Sequence, residues 1–99
     1  MALSYQVMAV STPVSFIWDP NVEPDLAGYR LYRDSVVVLE IPCGPNIIEC
    51  AQATDYNAPD GEHTWWATAY DTEGFESVPS ETQTATVDSD TGIYDLRLI

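Results

Sequence analysis

An all-β chain, folded as a seven-stranded antiparallel β-sandwich, is the architecture this sequence predicts. Three observations lead there. Helical periodicity is absent. Seven prolines and five glycines punctuate the 99 residues. The stretches between them are rich in Val, Thr, Tyr and Trp, alternate in polarity, and recur at about the 8–12-residue spacing of short sandwich strands. The length suits one small domain, and a hydrophobic share of 45% is enough for a packed core.

The elements follow in order. Tyr5–Val10 reads as the first strand and Val14–Trp18 as the second, stopped by Asp19-Pro20 because proline cannot donate to a central ladder. Residues 21–27, with Glu23-Pro24-Asp25, read as a loop. Gly28–Arg33 is the third strand, Tyr29 and Leu31 facing one way and Arg30 and Tyr32 the other. Asp34-Ser35 turns the chain into Val36–Ile41, whose Val-Val-Val-Leu run is almost purely strand-forming. Pro42–Asn46 breaks it, and Ile47–Ala53 is a weaker fifth strand. After the Ala58-Pro59-Asp60-Gly61 turn comes the clearest strand, Glu62–Tyr70. Its His63, Trp65, Ala67 and Ala69 oppose Thr64, Trp66, Thr68 and Tyr70. Residues 72–79 are a loop, and Ser80–Val87 is the seventh strand. Residues 1–88 are thus the domain, and 89–99 a tail or linker that holds a further strand-like segment.

Charge narrows the function. Sixteen acids face three bases, Arg30, Arg33 and Arg97, for a formal net charge of −13, and there is no lysine. Phosphate-directed binding of nucleic acid and docking on anionic membranes both need clustered Lys or Arg, so both are excluded. Missing lysine also excludes Schiff-base, lysine-base and Walker-type chemistry. Residues 1–18 carry no side-chain charge, yet they have no basic start. Ser4, Gln6, Ser11, Thr12, Pro13 and Ser15 interrupt any apolar run, so neither a signal peptide nor a membrane-spanning helix is expected. The chain reads as a mature or excised domain, or as a protein assembled without Sec export.

A family resemblance enters with specific residues. Trp18-Asp19-Pro20, then Glu23-Pro24-Asp25-Leu26-Ala27-Gly28-Tyr29-Arg30-Leu31-Tyr32-Arg33, resembles the B–C region of a fibronectin type III domain, especially the prokaryotic branch. Gly61 to Asp71, followed by Gly74-Phe75-Glu76-Ser77-Val78-Pro79-Ser80, resembles that family's F strand and F–G turn. The likeness spans about residues 3–87. It implies an immunoglobulin-like sandwich with one sheet of strands A, B and E and another of C, C′, F and G. Trp18 would then be the core tryptophan, packed against Tyr29 and Leu31, with Trp65 also inside. His63 stands where the family usually has its corner tyrosine. An imidazole there can donate to the E–F backbone while filling less apolar volume than a phenol.

Candidate chemistry is sparse. His63 is the one histidine, no G-x-S-x-G elbow accompanies it, and it is read as a structural corner residue without a catalytic role. Cys43 and Cys50 flank Gly44-Pro45-Asn46 and are read as a disulfide, with free thiols as the alternative; a lone C-x6-C pair is a poor zinc site. Asp88-Ser89-Asp90-Thr91-Gly92 begins like a calcium loop, but its fifth position is Gly92 and its twelfth Ile99. Asp19, Glu23 and Asp25, and Asp71, Glu73 and Glu76, are read as solvated loop charge. No metal and no cofactor are expected. Arg30, Tyr32, Trp66 and Tyr70 share an outward face, suited to a protein contact or to sugar stacking, although such pairs also simply stabilise sheets. Val36 and Val38 lie on a strand expected at the sheet edge, and Tyr94, Leu96 and Leu98 alternate in the tail. That tail is expected to continue into a following domain or to add to a neighbour's edge, ahead of pairing with its own sheet.

The function expected is a non-enzymatic interaction or spacer module of a surface or extracellular assembly, its partner a protein, a neighbouring domain or a subunit. A standalone subunit of a virion or filament, assembling through the edge and the tail, is one alternative. An accessory carbohydrate-binding module is the other. Without lysine, the Lys–Asn isopeptide staple of some surface adhesins is excluded, so Cys43–Cys50 is the one covalent staple available. The net charge of −13 should oppose compaction through self-repulsion that salt screens over about 8 Å at physiological strength. The melting temperature is therefore expected to rise in moderate NaCl; a flat response in calorimetry contradicts this.

Overall fold

The computed structural model describes residues 11–45, 49–88 and 94–97. Within them the chain is all-β, in two sheets packed face to face. The strands are β1 (Ser11–Ile17), β2 (Leu26–Arg33), β3 (Val36–Pro42), β4 (Gln52–Pro59), β5 (Gly61–Asp71), β6 (Gln83–Val87) and β7 (Tyr94–Arg97). One sheet has the order β3-β2-β5-β6, the other β4-β1-β7. The predicted strand at Tyr5–Val10 lies outside the described residues, as does Leu98.

Local chemistry accounts for most of these elements. β1 begins earlier than expected because Pro13, which has no N–H to give, falls at a register shift between Thr12 and Val14. Asp34 and Ser35 both adopt positive φ, 52° and 72°, which gives the two-residue β2–β3 turn the twist that flanking strands require. Along β2, Tyr29 and Leu31 are buried and their neighbours Arg30 and Tyr32 are half-buried on the opposite face. Gly28 must be glycine. A Cβ there would lie 2.5 Å from the Ile41 carbonyl oxygen on β3 and 2.5 Å from the Tyr70 hydroxyl.

Three expectations need correction. The fifth strand was expected at Ile47–Ala53, whereas β4 runs over Gln52–Pro59, through Asp55-Tyr56-Asn57. Asp55 and Asn57 disfavour strands by propensity, and the partners of Asp55 described below override that preference. The seventh strand was expected at Ser80–Val87, whereas β6 runs over Gln83–Val87, because Ser77 and Ser80 bond Ala69 and Ala67 through backbone and side chain in place of a regular ladder. The tail segment pairs with its own sheet: β7 lies parallel to β1, Val14 opposite Tyr94 and Ile17 opposite Arg97. That sheet is mixed, so the sandwich is not purely antiparallel.

The core lies between the sheets. Phe16 packs on Trp65 with ring centroids 5.3 Å apart, and Trp18 meets Tyr29 edge-on at 5.1 Å. Trp65 and Leu31 are fully buried. His63 lines the rim of the core, its ring 5.8 Å from Trp65. The Cys43 and Cys50 sulfurs are bonded, and their Cα atoms are 5.2 Å apart. Closing eight residues should stabilise by about 2.5 kcal/mol on the chain-entropy account.

One polar cluster crosses the core. Asp55 of β4 is buried, and its Oδ2 accepts from Arg33 of β2 at 2.5 Å and from Trp65 Nε1 of β5 at 3.0 Å. Its Oδ1 accepts the Asn57 N–H at 3.1 Å. A buried carboxylate needs such partners, and removing it leaves a guanidinium and an indole N–H without theirs. Asp55→Ala is therefore expected to cost about 3 kcal/mol or more in urea unfolding, at the lower end for a buried pair because Arg33 keeps 19% of its side chain exposed. A loss under about 1 kcal/mol contradicts the role assigned to this cluster.

Candidate functional site

Two regions gather functional side chains. The first is the outer face of the four-stranded sheet. Register brings Tyr32 opposite Trp66 and Arg30 opposite Thr68, while Gly28 faces Tyr70. The Tyr32 and Trp66 rings stack, with centroids 5.6 Å apart and planes 12° from parallel. The Arg30 guanidinium sits 4.4 Å above the Tyr70 ring. All four outward residues expected from the sequence thus meet on one surface.

Their organiser, Glu76, was read from sequence only as loop charge. It belongs to the β5–β6 connection, and an isolated bridge to Tyr70 lays it along the sheet. Its carboxylate accepts from the Tyr32 hydroxyl, from Thr68 Oγ1 at 2.5 Å and from Arg30 at 3.2 Å. Arg30 also donates to Glu40 of β3 at 2.9 Å. Hydrogen bonds from Thr68 and Tyr32 hold the Glu76 carboxyl below its ordinary value. The same bond to Glu76 raises Tyr32, because the phenol must stay neutral to donate. Tyr32 and Trp66 thus use one ring face each on one another, and Arg30 covers one face of Tyr70.

A second cluster surrounds His63. Its Nε2 donates to the Pro59 carbonyl at 2.8 Å, and its Nδ1 lies 2.6 Å from Asp34 Oδ2. The first of these is the bond from the imidazole back to the chain before β5. Asp34 Oδ1 also accepts the Thr64 N–H at 3.0 Å. The Asp34 carboxyl is lowered by the bond from His63 first and by the Thr64 amide second. Both ring nitrogens are committed, so neither is placed to take a proton from a serine.

The second region is the end of the sandwich where the β1–β2 and β5–β6 connections meet. Thr72 N donates to the Asp25 carbonyl at 3.0 Å and joins the two. A cleft of about 270 Å³ runs between Trp18, Asn21 and Tyr29 on one side and Val78, Pro79 and Ser80 on the other. Another, of about 280 Å³, lies between Glu23 and Leu26 and the pair Phe75 and Glu76. Val22, Phe75 and Val78 project into solvent here, 80%, 70% and 85% exposed. The sequence put all three in loops but marked none as a contact residue; an isolated apolar residue in a polar loop carries no periodicity to detect.

Asp19, Glu23 and Asp25 stand in one of these connections, and Asp71, Glu73 and Glu76 in or beside the other. Asp71 Oδ1 accepts the Glu73 and Phe75 amides, both at 2.9 Å, so that carboxylate shapes the loop. Among the described residues no group of three or more His, Cys, Asp or Glu side chains is arranged to hold a metal ion. Ser89–Gly92 of the expected calcium loop lie outside those residues. Of the expected assembly edge, Val36 is 63% exposed on β3, Val38 is half-buried, and β3 ends its sheet. No family model, curated protein or solved structure matches the chain.

The lowered carboxyls set the acid response. Ordinary values are 4.5 for Glu76 and 3.8 for Asp34. Stabilisation from a depressed carboxyl is complete above the ordinary value and is lost as pH falls through the lowered one. The urea midpoint is expected to drop on acidification below about pH 4.5, and Glu76→Gln to flatten that slope. An acid slope identical in wild type and Glu76→Gln contradicts this assignment.

Proposed function

We propose that this chain is a non-enzymatic interaction and spacer module of the fibronectin type III kind, working in a surface or extracellular assembly. Strand order supports the family reading. β1 to β6 would correspond to the family's B, C, C′, E, F and G strands, with β3-β2-β5-β6 as the C′-C-F-G sheet. The parallel β7 beside β1 departs from that pattern.

The observation that carries the interaction reading is the contrast between the two regions. Groups capable of chemistry are tied to one another: His63 to Asp34 and Pro59, Arg33 to Asp55, and Arg30 to Glu40 and Glu76. Large apolar side chains, in contrast, are held in solvent at one end of the sandwich. Exposed apolar side chains gathered at one place and rimmed by polar ones suit a protein contact. The Cys43–Cys50 bond supports an oxidising location such as the cell surface. A second reading, a virion or filament subunit, draws support from the open β3 edge with Val36 and Val37 exposed.

The test is amide NMR of the labelled chain, titrated with the neighbouring domains and gene products of its parent locus. Shifts concentrated in one surface region support the module. Binding by none of them, or a hydrolytic activity that His63→Ala abolishes, overturns it.

A further inference from the structure

Phe75 and Val78 are exposed, yet the chain that carries them is not slack. Around Phe75, the amide is taken by Asp71 Oδ1 at 2.9 Å and the carbonyl accepts the Asp71 N–H at 3.0 Å. Gly74, at φ +90°, donates to the Asp71 carbonyl and completes the turn. Around Val78, the chain is fastened on both sides. Ser77 N and Ser80 N donate to the Ala69 and Ala67 carbonyls, both at 2.8 Å. In return the Ser77 and Ser80 hydroxyls accept the Ala69 and Ala67 amides, both at 2.9 Å. The two serines therefore continue the sheet edge with side-chain oxygens, and Val78-Pro79 is arched outward between them.

Two large apolar side chains thus stand in water on a backbone fastened at Phe75 itself and on both sides of Val78. An apolar residue that merely lacked a core position would not need such fixing. A rigid support lowers the ordering cost of binding, because the bound conformation already exists. The clefts at the feet of these residues, about 270 and 280 Å³, share Ala69 and Ser77 and give a partner room beside each one.

We infer that Phe75 and Val78 form a preformed pair of docking knobs for a protein partner that carries an apolar recess rimmed by Lys and Arg. This rests on the interaction reading above and specifies its partner. The charge selects the rim. Both connections carry acids, Glu23, Asp25, Glu73 and Glu81 among them, and neither contains Arg or Lys. A second copy would bring −13 against −13, and an anionic bilayer meets the same repulsion.

The test uses the oxidised full chain and a random peptide library, with the Phe75→Ser, Val78→Ser double variant as counter-selection. Both positions are exposed, so the variant should keep the wild-type melting temperature. Selected peptides are expected to place an aliphatic or aromatic residue between Lys or Arg, and to bind the variant at least about tenfold more weakly. Their affinity should fall with NaCl. Peptides without basic residues, equal affinity for the variant, or wild-type self-association in sedimentation that the variant lacks overturns the inference. Native partners that bind through another face in the NMR titration defeat this inference and leave the module reading standing. An unbound chain in that titration defeats the module reading itself.

Discussion

The two sheets are joined by more than apolar contact, and the carboxylate of Asp55 is where they are fastened. It is buried on β4 of one sheet, and it takes a guanidinium from β2 and an indole N–H from β5 of the other. Hydrophobic packing has no strong directional preference, so Phe16 against Trp65 could tolerate some sliding. A carboxylate with an Arg, an indole and an amide around it tolerates little, because each misplaced donor is a buried, unmade hydrogen bond. The cluster therefore sets how β4 lies over β2 and β5. Through the β1–β4 pairing it also places Trp18 over Tyr29.

Placement of the sheets has consequences at the sandwich end. With Trp18 seated on Tyr29, the β1–β2 connection leaves the core beside the β5–β6 connection, close enough for Thr72 to bond Asp25. Glu76 then fastens the second connection to the outer face of the sheet through Arg30, Tyr32 and Thr68. In this arrangement Arg30, Glu76, Asp34 and His63 are bonded to one another or to neighbouring strands, while Val22, Phe75 and Val78 of the loops stay exposed.

Much of this was legible in the sequence. The faces of β2 and β5 follow from a period of two, so Tyr29, Leu31 and Trp65 could be placed inside, and Arg30, Tyr32, Trp66 and Tyr70 outside. Asp34-Ser35 announced a turn because short polar residues tolerate positive φ. The strand through Asp55-Tyr56-Asn57 was hidden, since Asp55 and Asn57 disfavour strands and the Arg33 and Trp65 partners of Asp55 lie far along the chain. Glu76 was hidden in the same way. A glutamate in a loop carries no sign that three donors on two strands wait for it.

The sequence by itself determined the all-β class, the inward and outward faces of the central hairpin, and a strong excess of acidic residues. Those properties are local or compositional, encoded within a few neighbouring residues or in simple counts. The tertiary structure alone decided that Asp55 joins the sheets, that β7 lies parallel to β1, and that Ser77 and Ser80 arch Val78 outward. Each of these joins residues distant along the chain or depends on which strands become neighbours. Hydrogen-bond partners are chosen by proximity in space, which no local pattern of residues records.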